Sequence, residues 1–273
     1  MLKNAFWLKK NIDRKNIKVL DASWYLPNIN RDAKKEFHYS RIPGAIYFDI
    51  EDICDKKSKL PHMLPNQKYF EKKVSSLGIE SNHTVIIYCK EGVLSSPRVW
   101  WMFKYYGHEK VFILNGGFKA WSRANGKSTS GPKKYINSHS KYKVGRIQSS
   151  LNVTYEQIMI SKKYKKKINI LDARPKRRFL ELEAEPRINI GKGKIEGSIN
   201  LEASLLDTKG HFKQKNEIRN IYKRILEKKY KTICSCGSGV SACAIAFTLN
   251  LIGNKNWSIY DGSWTEWYLK SKN

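Results

Sequence analysis

The sequence predicts an α/β protein built from two tandem copies of one domain, each a parallel sheet flanked by helices. Three observations carry that expectation. At 273 residues the chain has room for two domains of ordinary size. Four segments of the first half return in the second, in the same order and at a nearly constant offset. Between these segments, short apolar runs alternate with amphipathic ones, the pattern of strand–helix–strand units with parallel pairing.

The repeats place the elements. Ile17-Lys-Val-Leu-Asp-Ala22 returns as Ile168-Asn-Ile-Leu-Asp-Ala173, and Arg41-Ile-Pro-Gly-Ala-Ile46 as Lys194-Ile-Glu-Gly-Ser-Ile199. Val85-Ile-Ile-Tyr-Cys89 answers to Thr232-Ile-Cys-Ser-Cys236, and Asn115-Gly-Gly-Phe-Lys-Ala-Trp121 to Asp261-Gly-Ser-Trp-Thr-Glu-Trp267. In the first copy, Thr84 to Tyr88 reads as a buried strand. Ser95-Ser96-Pro97 then offers an N-cap and a first-turn proline to a helix carrying Val99, Trp100, Met102 and Phe103, which Gly107 ends. In the second copy, Thr232 to Ser235 is the strand. The glycine-rich loop Cys236 to Gly239 leads into an apolar helix, Val240 to Leu251, with Gly253 at its end. Gly126 to Val144, rich in Ser, Lys, Gly and Asn, reads as a linker, and Thr154-Tyr-Glu-Gln157 matches a capping box. The expected division is a first domain over 1–125, a linker over 126–150 and a second domain over 151–273.

Composition narrows the function. Hydrophobic residues make up 41% of the chain, enough to fill packed cores, but no run approaches the ~18 apolar residues of a membrane span. Met1-Leu-Lys-Asn-Ala-Phe-Trp7 lacks the apolar stretch of a signal peptide. Five cysteines, an odd number in a chain of this length, point to free thiols in a reducing, cytoplasmic setting. Cys234 and Cys236 form a C-x-C pair, but no second pair and no nearby histidine completes a metal site, so no metal is expected. The net charge of +28 raises the question of nucleic acid. The lysines are scattered in pairs such as Lys9-Lys10, Lys34-Lys35 and Lys133-Lys134, and no recognition motif accompanies them. The expectation is a solvated basic surface without a nucleic-acid or membrane partner, whose field favours an anionic substrate.

The chemistry centres on Cys236. It stands at the end of a buried strand and is followed by Gly237-Ser238-Gly239 and then a helix. Backbone N–H groups of such a loop can turn toward one point, and the helix N-terminus adds partial positive charge. Both favour the thiolate, the reactive form of cysteine. Cys243 on the following helix and Cys234 in the strand read as core.

With these residues placed, Cys236-Gly-Ser-Gly-Val-Ser-Ala242 resembles the active-site loop of the tandem-domain rhodanese family, and within it the mercaptopyruvate sulfurtransferases. Arg41-Ile-Pro-Gly-Ala45, Ser96-Pro-Arg-Val-Trp-Trp101, Glu185-Pro-Arg187 and Tyr260-Asp-Gly-Ser-Trp264 extend the resemblance over essentially the whole chain. It implies two tandem rhodanese-like domains, a silent first copy and a catalytic second one. Cys236 is then the nucleophile that carries sulfur as a persulfide, and Gly237, Gly239, Val240 and Ser241 line the substrate.

The resemblance also implies that Arg178 and Arg187 hold the donor's carboxylate and keto oxygen, a task that suits the guanidinium fork. Arg174 and Arg177 lack that support and are read as surface charge. Matching Met63-Leu64-Pro65 and Phe48-Asp49-Ile50 implies a relay of Ser238, His62 and Glu51. Here the sequence departs from the family, because Glu51 stands where the family has aspartate, and Asp49 and Asp52 are neighbours able to substitute. Ser241 replaces a threonine, and Lys194-Ile-Glu196-Gly197 replaces a His-Ile-Pro-Gly type of segment. Cys89 stands where the family usually has aspartate. With its helix expected to begin only near Ser95, that thiol lies too far from the helix N-terminus to share its field.

The implied reaction moves sulfur from 3-mercaptopyruvate to thioredoxin, a small thiol or cyanide, releases pyruvate and needs no cofactor. A thiosulfate-using relative is the alternative. Such enzymes usually carry basic side chains after the cysteine, whereas Gly237, Ser238 and Gly239 are uncharged. A phosphatase is excluded because Ala242 occupies the arginine position of C-x5-R. A non-catalytic persulfide carrier is the reading from a different class, and pyruvate release separates it from an enzyme.

Overall fold

The computed structural model describes residues 1–91, 94–132, 140–208, 210–227 and 229–272. The Lys133-Lys134 pair, and Gly92 and Val93 after Cys89, lie outside them. The chain divides into two compact units, one chiefly of Met1–Lys57 and Leu64–Gln148, the other chiefly of Ser58–Met63, Ser149–Thr208 and Phe212–Asn273.

The first unit contains β1 (Leu2–Lys3), α1 (Ala5–Asn11), β2 (Ile17–Asp21), α2 (Ala33–Tyr39), β3 (Ile46–Tyr47), α3 (Gln67–Ser76), β4 (Thr84–Tyr88), α4 (Ser96–Tyr105), β5 (Val111–Leu114) and α5 (Gly117–Arg123). The strands form one parallel sheet in the order β1-β5-β4-β2-β3. β2 and β4 run in register from Ile17 opposite Thr84 to Asp21 opposite Tyr88. Val85, Ile86, Ile87 and Tyr88 are all fully buried, as a central strand covered on both faces requires. Ile86 and Tyr88 pack with Val19, Leu114, Ala5, Leu8, Phe37 and Trp121 on one face. α4 is buried continuously from Ser96 to Phe103. Pro97 lies in its first turn and Gly107, at φ +75°, follows its end, but the Ser95 side chain makes no capping bond. Beyond α5, Gly145 and Gln148 donate to the Tyr106 and Tyr105 carbonyls and Ser140 to that of Ser75, which ties residues 140–148 to this unit.

The second unit repeats the plan. β6 (Asn152–Val153), α6 (Tyr155–Lys163), β7 (Ile168–Asp172), α7 (Lys176–Phe179) and β8 (Ser198–Asn200) precede the short strands β9 (Asp207–Thr208) and β10 (His211–Phe212). α8 (Lys215–Ile225), β11 (Lys231–Ser235), α9 (Ala242–Leu251), β12 (Trp257–Tyr260) and α10 (Ser263–Ser271) complete the chain. The five-stranded parallel sheet has the order β6-β12-β11-β7-β8, strand for strand the order of the first. The capping box expected at Thr154 closes both ways, with Gln157 N donating to Thr154 Oγ1 and Thr154 N to Gln157 Oε1. α9 starts at Ala242, two residues later than the sequence suggested, because residues up to Ser241 continue the loop through Gly239 at φ +74°. It is apolar all round and buried from Ala242 to Leu249, which makes it the central helix of the unit. Among the described residues, no helix is long and apolar enough to cross a membrane.

Candidate active site

β11 ends at Ser235, and the next residue, Cys236, is only 2% exposed. The loop that follows is tied to the start of α10. Trp264 N donates to the Cys236 carbonyl at 2.9 Å, and Thr265 donates through N and Oγ1 to the Gly237 carbonyl at 3.0 and 2.7 Å. Ser263 is the hub. Its Oγ accepts from Cys236 N at 3.0 Å and Gly239 N at 3.1 Å, donates to the Tyr260 carbonyl at 2.8 Å, and lies 4.0 Å from Cys236 Sγ. The expected convergence of loop amides is therefore corrected at two positions, where the side chain of Ser263 takes the N–H. The amides of Gly237, Ser238, Val240, Ser241 and Ala242 have no acceptor among the described residues, so these remain to meet negative charge at the loop. Val240 is buried and Ser241, at the head of α9, is half-buried and makes no side-chain cap.

The repeat carried a signal for Ser263. The aligned position of the first copy is Gly117, at φ +56°, and Ser263 adopts the same left-handed backbone at φ +51°. A serine there costs roughly 1–2 kcal/mol relative to a relaxed backbone, and such strain clusters at functional sites. The two copies share one backbone tie here, since Phe118 N donates to the Cys89 carbonyl as Trp264 N does to that of Cys236.

His62 belongs to the second compact unit and is 3% exposed, also in a left-handed conformation at φ +60°. Its Nδ1 lies 3.3 Å from Ser238 Oγ, so the structure brings these two predicted residues together. Glu51 belongs to the first unit, where its Oε1 accepts from Trp24 Nε1 at 2.7 Å. Its two neighbours are engaged elsewhere. Asp52 pairs with Lys73 at 2.7 Å, and Asp49 Oδ1 accepts from the amide of Glu51.

On the β7 side, Arg178 is 8% exposed in α7, and Arg187 is half-buried in the loop beyond it. Arg174 corrects the sequence reading. It is 1% exposed rather than a surface charge, and forks onto Asp172 at 2.7 Å and Glu185 at 2.7 Å, with the Gly193 carbonyl at 3.0 Å and Trp264 beneath it. The reason is its position directly after β7, where the chain is still inside the unit and Asp172 supplies a buried counter-charge. Arg177 is exposed, as expected.

The other thiols are poor nucleophiles by environment. Burial pushes Cys234 well above the ordinary thiol range, with smaller contributions from Cys243 and Cys236. Burial likewise pushes Cys89 up, against smaller lowering contributions from hydrogen bonds with Ser95 and Ser96. The thiol therefore lies at the start of α4, which corrects the expectation that it is too far from that helix, and burial still outweighs the helix end. The Cys243 thiol donates to the Gly239 carbonyl at 3.2 Å. Among the described residues no group of three or more His, Cys, Asp or Glu is placed to hold a metal.

With this geometry in view, the likeness to known proteins is informative. The sequence model of the Rhodanese-like domain matches residues 4–124 and 155–270. The 3-mercaptopyruvate sulfurtransferase of Mus musculus is 37% identical over 265 residues, spanning 94% of this chain and 86% of its own. The thiosulfate sulfurtransferase of Rattus norvegicus is 36% identical over 261 residues, with the same coverage of 94% and 86%. Among solved structures, the 3-mercaptopyruvate sulfotransferase SseA of Escherichia coli superposes with a TM-score of 0.87 at 30% identity, over 96% of this chain and 98% of its own.

Proposed function

The chain belongs to the rhodanese family, with one rhodanese-like domain in each half, and on that premise we propose that it carries sulfur from 3-mercaptopyruvate on Cys236. It is a sulfurtransferase. The observation that carries the donor assignment is the buried Cys236 on an uncharged loop, in the same unit as the arginines at 178 and 187. An uncharged loop leaves recognition of the donor's carboxylate and keto oxygen to those arginines.

The Cys236 thiolate attacks the sulfur of 3-mercaptopyruvate, forming an S–S bond as the C–S bond breaks. The electrons of that bond leave on C3 as the enolate of pyruvate. The enolate takes the proton that the transferred S–H loses, so pyruvate departs and an anionic persulfide stays on Cys236. Ser238 and His62, 3.3 Å apart, form the proton route. The free loop amides hold the persulfide. A thiolate acceptor, such as thioredoxin or a small thiol, then attacks the outer sulfur and restores the Cys236 thiolate. No cofactor enters either step. The first domain is silent, since burial leaves Cys89 a weak nucleophile. Five free cysteines favour a cytoplasmic setting.

Thiosulfate is the competing donor, because relatives of both names match almost equally well. Purified protein offered each donor with a common thiol acceptor decides between them. The expected result is stoichiometric pyruvate release and a higher kcat/KM with 3-mercaptopyruvate; a higher kcat/KM with thiosulfate removes the assignment.

A further inference from the structure

Four buried charged side chains form a row beside the loop. Asp172 pairs with Arg174 at 2.7 Å, Arg174 with Glu185 at 2.7 Å, and Glu185 with Arg178 at 3.5 Å. Their side chains are between 1% and 10% exposed. Two carboxylates and two guanidiniums make the row neutral. One end is fixed, because Asp172 closes β7 and Arg174 is also held by the Gly193 carbonyl. The position of Glu185 is therefore set by Arg174, and its second oxygen is turned toward Arg178 and the loop. A Cβ built on Gly237, the residue after the nucleophile, would lie 3.7 Å from Glu185 Oε2.

We infer that Glu185 sets the charge of the donor this site accepts, by orienting Arg178 and cancelling its charge so that a singly charged anion is favoured over a dianion. This rests on the donor reading above. Glu185 is a positioning and specificity residue that need not touch the reacting sulfur. Its fixed charge acts on a dianion twice as strongly as on a monoanion at the same place, and burial limits screening by water. Removing that charge should therefore favour the dianion over the monoanion, whatever general damage the change also does.

The test compares donors in Glu185→Gln, which keeps the side chain's size and leaves Arg174 its bonds to Asp172 and Gly193. The ratio of kcat/KM for thiosulfate to that for 3-mercaptopyruvate should rise about 10-fold or more. Glu185→Asp keeps the charge and displaces it, so it should lower both values while moving the ratio less than 3-fold. A parallel fall of both donors in Glu185→Gln, or an equal ratio change in the two variants, overturns the inference. Should Glu185→Gln fail to fold, wild-type inhibition gives the answer: pyruvate should compete with the donor at far lower concentration than sulfate at matched ionic strength, and equal competition overturns the inference. A wild type that prefers thiosulfate removes the donor assignment itself. A wild type that prefers 3-mercaptopyruvate, with an unmoved ratio in Glu185→Gln, removes only the role of Glu185.

Discussion

At the scale of single residues, the account turns on a few side chains whose partners are fixed. Ser263 satisfies two loop amides and one carbonyl with a single hydroxyl. The first copy shows that glycine accepts the same backbone, so Ser263→Gly removes the hydroxyl without disturbing φ. Three lost hydrogen bonds at about 1 kcal/mol each are offset in large part by relief of the left-handed serine. Thermal unfolding should therefore change little while kcat falls about 10-fold or more; unchanged turnover would mean that Ser263 does not shape the loop for catalysis. The arginines make a second prediction. Replacing Arg178 or Arg187 with leucine removes one partner of a charge-assisted contact, worth roughly 1.5–3 kcal/mol. Turnover of 3-mercaptopyruvate should fall by about 10- to 100-fold in kcat/KM, measured as pyruvate release, and tolerance of both changes would dissociate them from donor binding. Neither Ser263 nor Arg174 was assigned its part from the sequence, for one reason. Besides near neighbours, Ser263 works through Cys236 and Gly239 and Arg174 through Glu185, Gly193 and Trp264, and a lone serine or arginine does not announce such partners.

At the scale of elements, much more was legible. The strand Thr84–Tyr88 and the capping box at Thr154 follow from local apolar runs and local hydrogen bonding, which the sequence carries within a few residues. The start of α9 was misplaced because Val240 and Ser241 fit a helix as well as a loop, and the ties from Ser263 and Thr265 decide where the loop ends. The placement of Cys236 was legible because strand end, glycine-rich loop and helix follow one another in sequence; the grouping of His62 with the second unit was not. The loop also invites exchange. Gly237 has an ordinary backbone, and a Cβ there meets only Glu185 Oε2 at 3.7 Å, an ordinary van der Waals distance, so the backbone accepts Gly237→Arg beside a carboxylate. Combined with Ser238→Lys, it brings positive charge to a dianion. The double variant should shift the kcat/KM ratio toward thiosulfate, and it should also lose absolute rate because the Ser238–His62 contact disappears. A ratio unmoved by two added cations would show that loop charge does not select the donor.

On the scale of the whole molecule, the chain is one domain written twice, with two sheets of identical strand order. The duplication was readable from four repeated segments because each lies on a sheet strand or directly beside one, where both copies make the same element. Divergence between the copies then separates scaffold from chemistry. The first copy keeps the sheet and the Phe118–Cys89 backbone bond, yet has glycine at the Ser263 position and a thiol that burial holds in its neutral form. The net charge of +28 is shared along the chain and provides an attractive field for an anionic donor, without assigning its identity. The central claim is that sulfur is carried on Cys236 alone. The most direct measurement treats the protein with 3-mercaptopyruvate in the absence of acceptor and locates the added sulfur by intact mass and peptide mapping. One sulfur-sized gain per chain is predicted, on the Cys236 peptide, preserved in Cys89→Ser and absent from Cys236→Ser. A Cys236→Ser protein that still gains sulfur and releases pyruvate at the wild-type rate would contradict the account.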